Sequence, residues 1–189
     1  MNVSEQNYLK GHFLMAMPGL MDPNFHQTVT LICEHTHEGA MGIIVDRRVP
    51  ELDSDQIFRE LDIAFIQEQA NIPLHFGGPV HGGEVFILHG PPFHWEGCLV
   101  VSPEFGLSNT SDILEAIAMG RGPHDFFIAI GCSGWGAGQL EAEMKENTWL
   151  TGMATTDIVF NTPLERRWFT AIHNLGIDPD LLSGEAGHA

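Results

Sequence analysis

The sequence predicts an α+β fold, and three observations carry that expectation. Short β-branched and apolar runs come first along the chain. Helical spacing then mixes with further strand runs. Neighbouring strand runs are joined by short turns, which suits hairpins rather than the long crossovers of a doubly wound parallel sheet. With 189 residues and 43% hydrophobic side chains, the chain can bury a core, and one domain over residues 1–189 is expected.

Phe13 to Met17 is an apolar strand run closed by Pro18-Gly19. Residues 28–35 and 40–45 read as a hairpin around the loop Thr36 to Gly39. Gly42 within it signals a bulge or a close backbone approach. Asp53 and Gln56 can form a capping box opening a helix through Leu61, with Ile57 and Leu61 on one apolar face. Residues 74–76, 85–89 and 98–101 read as strands. Ser111 or Asp112 caps a helix that carries Ile113, Leu114, Ile117 and Ala118 and stops at Gly120. Residues 125–130 form a continuous apolar strand, followed by a glycine-rich turn over 131–138 and a helix over 139–146. Two strands are expected at 149–153 and 158–160. The last helix has Thr162 as N-cap, Pro163 first inside, Glu165 completing the box, and a stripe of Leu164, Trp168, Ile172 and Leu175 ended by Gly176. The tail 177–189 is weakly patterned and expected to be mobile.

The chain carries 25 acidic and 8 basic residues, a formal charge of −17. The acids are spread along both halves, with neither an acidic tail nor a basic arm. Phosphate neutralisation needs Lys and Arg, so the composition argues against direct nucleic-acid binding. Eleven histidines would take the charge from −17 to −6 if all were protonated. Cys33, Cys98 and Cys132 are odd in number and widely spaced, which suits free thiols in a reducing cytosol rather than a disulfide framework. The polar start lacks a signal-peptide core, and no apolar run is long enough to span a bilayer. A cytoplasmic protein is expected.

Three segments carry candidate chemistry. Gly131-Cys132-Ser133-Gly134-Trp135-Gly136-Ala137-Gly138 could aim backbone N–H groups at an anion beside the following helix. It is neither a dinucleotide fingerprint nor a P-loop. Gly131-x-Ser133 is half of a nucleophile elbow, with Asp157 and His173 following in the required order. The plainer reading is a tight turn packed around Trp135. Cys33-x-His35-x-His37 places metal-ligand types on one face of a regular strand, although His37 falls past the strand end in the loop before Gly39, against the plainer reading of a buried thiol and a structural histidine. The glycines of His75-Phe76-Gly77-Gly78-Pro79-Val80-His81 force an unusual turn that could shape a pocket or a contact surface. Arg166 and Arg167 sit beside the apolar stripe of the last helix and are expected on a solvated face or in a salt bridge to Glu165 or Asp157.

Taken in order, these blocks resemble the bacterial AlgH (YqgE) family. The resemblance rests on Met17-Pro18-Gly19-Leu20, Asp22-Pro23, Phe25, Cys33-Glu34-His35, Gly39-Ala40-x-Gly42 and Gly77-Gly78-Pro79-Val80. It rests most on Gly131, Gly134-Trp135 and Gly138-Gln139-Leu140-Glu141 with Glu143, Asn147 and Trp149. It spans roughly residues 8–188. The chain departs from the family where Cys132 and Ser133 replace an aromatic residue and Ala, and where Asp46 replaces Asn before Arg47. The resemblance implies a compact α+β fold, with a mixed, mainly antiparallel sheet, bifurcated or closed into a small barrel, surrounded by helices. It carries over no activity, and the label of transcriptional regulator often given to the family implies an indirect role here.

The expected function is that of a non-enzymatic cytosolic regulatory module binding a protein partner or a small molecule. The expected surface combines Cys33, Glu34 and His35 with Gly77, Gly78 and Pro79 and with Gly131, Gly134, Trp135, Gly138 and Gln139. No catalytic residue, cofactor, metal or membrane partner is assigned. The alternative is a hydrolase or transferase using the Gly131–Gly138 loop as an anion hole, with His35 or another histidine as base.

Overall fold

The computed structural model describes residues 8–182. Its strands are β1 (His12–Ala16), β2 (Val29–Thr36), β3 (Gly39–Ile44), β4 (Arg48–Asp53), β5 (Pro73–Phe76), β6 (Val80–His89), β7 (Leu99–Val100), β8 (Gly106–Ser108), β9 (Phe126–Gly136) and β10 (Trp149–Met153). Its helices are α1 (Ser54–Glu60), α2 (Ser111–Ala118), α3 (Gln139–Lys145) and α4 (Leu164–His173).

The ten strands form one curled, mainly antiparallel sheet in the order β10-β1-β2-β3-β9-β6-β8-β7. The only parallel pair among the described residues is β5 with β9, and β4 extends the sheet from β5. The sheet is bifurcated at β9. Its first half pairs with β5 through Leu74, His75 and Phe76. Its second half pairs with β3, from Gly42 opposite Ser133 to Gly39 opposite Gly136.

β5 and β3 therefore lie end to end against β9 and meet at Gly77. The Gly77 N–H donates to Ile130 O, and its carbonyl accepts from Ile44 N–H, both at 2.9 Å. A Cβ on Gly77 would lie 2.2 Å from Gly131 O, and one on Gly78 would lie 2.3 Å from the Cys132 carbonyl carbon. Only glycines let these backbones approach so closely.

Three apolar clusters follow from this layout. Phe13, Leu31, Ile43 and Phe105 pack with Ala171 and Ile172 of α4. Phe58 of α1 and Ile113 and Ile117 of α2 cover Leu74, Ile87 and Ile128. Leu14, Ile32 and Trp135 pack with Leu140 of α3.

Several local expectations change. Residues 131–136 are not a loop but the second half of β9, and only Ala137-Gly138 turns into α3. Residues 158–160 are not a strand but belong to a π-helical turn, Asp157–Asn161. Leu61 is exposed, while Ile57 and Phe58 are buried. Asp53 caps α1 as expected, its N–H donating to Gln56 Oε1 at 2.9 Å. Thr110, not Ser111 or Asp112, is the N-cap of α2. At α4 the N-cap is Pro163 rather than Thr162, no side-chain cap forms, and the Thr162 hydroxyl donates to Asp157 O. Ile177 and Leu182 pack against the core; the part of the expected mobile tail at 183–189 lies outside the described residues.

Candidate functional site

The glycine- and tryptophan-rich stretch builds a polar hub rather than an open loop. Glu143 of α3 accepts the indole N–H groups of both Trp135 and Trp149 on one carboxylate oxygen, at 3.0 and 2.8 Å. Its other oxygen accepts from the Gln139 amide at 2.9 Å, and Gln139 Oε1 accepts from Gly136 N–H at 3.0 Å. Phe25 packs edge-on against Trp149, with 5.6 Å between centroids. Alongside, Leu9 N–H donates to His35 Nδ1, so Nε2 holds the proton and donates to Glu141 Oε1 at 3.1 Å.

The expected open loop is therefore mostly strand. Cys132 pairs with β6 and Ser133 to Gly136 pair with β3. Ser133 is fully buried, its hydroxyl donating to Gly77 O. None of the three clefts described below is lined by residues 131–138.

The Cys33-His35-His37 constellation does not form either. β2 bulges between Ile32 and Glu34, so its side-chain alternation changes phase at Cys33. Cys33 enters the α4-side core, His35 faces α3, and His37 lies in the exposed turn. Burial pushes the Cys33 thiol pKa upward, which makes it a poor nucleophile.

The other expected surface residues divide by burial. Gly77, Gly78, Gly131 and Trp135 are buried, while Glu34, Pro79, Gly134, Gly138 and Gln139 are exposed. Register aligns Glu34 with Met41 and Met41 with Gly134, and Val80 lies next to Gly134. Glu34, Gly134 and Val80 are exposed along this row, with Met41 half-buried against the core.

One histidine–nucleophile group was not foreseen. His89 Nδ1 donates to Gly90 O at 2.7 Å, leaving Nε2 to accept from the Ser108 hydroxyl at 3.0 Å, with Cys98 Sγ at 3.7 Å. His89 and Ser108 are sealed from solvent, and neither lines any of the three clefts. The group is a satisfied polar contact in the core.

The largest of these three clefts, about 570 Å³ between the segment 62–64 and α2, is lined by Asp62, Asp112, Glu115, Met119 and Arg121. The other two, about 270 and 250 Å³, lie where β3–β4 and β9 meet α4. Arg167 lines the smaller of the two. Instead of the expected solvated face it is buried, donating through Nε to Thr162 O at 2.8 Å and through Nη1 to Val45 O.

Next to Arg167, Asp46 lines the 270 Å³ cleft together with Arg47, Glu165, Trp168 and Phe169. Asp46 Oδ1 is sealed from solvent and meets no hydrogen-bond donor among the described residues. Burial pushes its carboxyl up to about 7, against the pull of the Val29 N–H and of Arg47 and Arg167. Arg47 spends Nη2 on His26 O at 2.6 Å. In the 250 Å³ cleft, burial pushes His75 down to about 4, helped by Arg167 and Arg48. An acid near neutrality beside arginines in a cleft is a candidate site by position and protonation together. Among the described residues no three His, Cys, Asp or Glu side chains are placed to hold a metal ion.

A bifurcated α+β sheet with a Trp–Glu–Trp hub and a charged cleft under the last helix defines the class of this protein. Comparison with known proteins then places it: a family model described as AlgH-like matches residues 13–180, and the chain belongs to that family. A UPF0301 protein of Desulforapulum autotrophicum is 47% identical over the whole of both chains. One from Methylococcus capsulatus is 45% identical over 98% of each. The solution structure of the AlgH protein of Pseudomonas aeruginosa superposes with a TM-score of 0.81 at 41% identity, covering 100% of both chains. A crystal structure of a Corynebacterium diphtheriae protein shares the fold at a TM-score of 0.73 and 19% identity, over 93% of this chain and 91% of its own. No helix among the described residues is long and apolar enough to cross a membrane.

Proposed function

We propose that this protein is a non-enzymatic regulatory module that binds a small molecule in the cleft between Asp46-Arg47 and α4. Any effect on transcription then runs through that ligand or a protein partner rather than through DNA contact. The observation that carries this reading is Asp46 Oδ1, buried without a donor at a cleft that also holds Arg47. An unmet buried acceptor is costly, and a ligand donor relieves that cost. The three free thiols support a reducing, cytosolic setting.

A second reading, a protein partner, is favoured by the strip of Glu34, Gly134 and Val80, exposed around a half-buried Met41. Beside it the residues His81 to Glu84 stand clear, and a Cβ on Gly82 or Gly83 would touch nothing within 4 Å.

Native mass spectrometry on the purified protein, followed by thermal-shift measurements with metabolite fractions, tests the first reading. A ligand-dependent rise in melting temperature that Trp168→Ala abolishes, with the variant otherwise folded, is expected. A rise unaffected by Trp168→Ala and by Asp46→Asn would place binding elsewhere.

A further inference from the structure

Resting on the ligand-cleft reading above, we infer that the cleft takes a small zwitterion: an α-amino acid with an apolar side chain, its ammonium on Asp46, its carboxylate on Arg47 and its side chain against Trp168 and Phe169.

Charge decides first. Asp46 and Glu165 line the cleft beside Arg47, and Arg167, which lines the neighbouring cleft, adds its field at Asp46. A pure anion meets two carboxylates and the field of a chain carrying −17. A pure cation leaves the Arg47 guanidinium without a partner. A ligand bearing both charges on adjacent atoms matches both sets.

Hydrogen bonding decides next. Asp46 Oδ1 is a sealed acceptor without a donor, and a turn of the carboxyl toward the cleft brings it an ammonium that supplies one. Arg47 spends only Nη2 on His26 O, which leaves its other N–H groups for a carboxylate. Leu164 and Glu165 open α4 at the same cleft, so the positive end of the helix dipole adds to the carboxylate side. An ammonium on Asp46 would hold as carboxylate a group that burial otherwise keeps near its midpoint at neutral pH.

Size and shape decide the remainder. The volume, about 270 Å³, falls below the roughly 300–1,000 Å³ of pockets for drug-sized ligands. The Trp168 indole is fixed by donating Nε1–H to Ala16 O at 2.9 Å, and Phe169 is 39% exposed. Together they offer a rigid apolar wall with an open partner.

The test is a titration of the isotope-labelled full chain with L-phenylalanine and its two half-analogues, 3-phenylpropionate and 2-phenylethylamine. L-Phenylalanine is expected to shift the amides of 46–47 and 164–169. Each half-analogue should bind about 10–100-fold more weakly, the loss expected of one charge-assisted hydrogen bond. Asp46→Asn should erase the preference over 3-phenylpropionate, and Arg47→Gln the preference over 2-phenylethylamine, in variants whose spectra remain folded. Equal binding of a half-analogue in the cleft overturns the zwitterion assignment and leaves the cleft reading standing. Absence of any shift with L-phenylalanine at millimolar concentration also overturns the assignment. A different small molecule co-purifying at another surface overturns both.

Discussion

Asp46 and His75 are shifted in opposite directions, and their effects on stability oppose each other. Asp46 has a folded pKa of about 7 against an ordinary 3.8. Between those values the native state holds the extra proton, so stability from this group falls as pH rises. His75 has a folded pKa of about 4 against 6.5, so the native state holds fewer protons there and stability falls as pH drops. Between about pH 4 and 6.5 the two effects nearly cancel in the wild type. Asp46→Asn should uncover the histidine and make stability rise from pH 4 to 6.5. It should also stabilise the protein by about 2–4 kcal/mol at pH 8, taking ~1.4 kcal/mol per pKa unit. Urea melts across pH check this, and parallel curves for wild type and variant would refute it. Glu143 gives a second prediction. Glu143→Ala strands two buried indole N–H groups and should cost about 2–4 kcal/mol in urea unfolding, at ~1–3 kcal/mol for each unsatisfied donor. Glu143→Gln, which keeps an acceptor, should cost less. A neutral alanine variant would remove the hub from the account.

Among the elements, the branch of the sheet at Gly77 is the most constrained. Gly77→Ala drives a Cβ to 2.2 Å from Gly131 O and should prevent folding or cost more than about 3 kcal/mol. Gly82→Ala, with nothing within 4 Å of its Cβ, should change stability by less than about 1 kcal/mol. Equal effects in thermal melts would contradict the bifurcated register. The same comparison shows what the sequence reveals. Runs such as Thr28 to His35 and Phe126 to Ile130 declare themselves because β-branched and apolar residues crowd together. β4 does not, because Arg48-Val49-Pro50-Glu51-Leu52-Asp53 is charged and proline-bearing, as an edge strand can be. The second half of β9 reads as a turn because its glycines serve close strand packing. Ile158-Val159-Phe160 reads as a strand because a short apolar run has no period long enough to reveal a helical turn. Of the site, Trp135 and Gln139 were legible as a signature, but their engagement by Glu143 was not. Arg167 was invisible as a buried residue, because its acceptor Val45 lies 122 positions away.

For the whole molecule, the charge of −17 is spread along the sequence but not evenly in space. Arg47, Arg48 and Arg167, three of only 8 basic residues, gather around Asp46 and His75. A small basic spot in a chain of charge −17 suits a compact ligand better than a long phosphate backbone. Gel shifts with duplex DNA at low salt should therefore show no complex. The central claim is that the ligand site lies under α4 and not along the glycine-rich signature. It is tested most directly by amide spectra of the labelled protein before and after addition of the low-molecular-mass fraction of a cell extract. The account predicts shifts confined to residues 26–27, 46–47 and 164–169. Shifts centred on 34–35 and 131–139, with the α4 cleft unmoved, would contradict it.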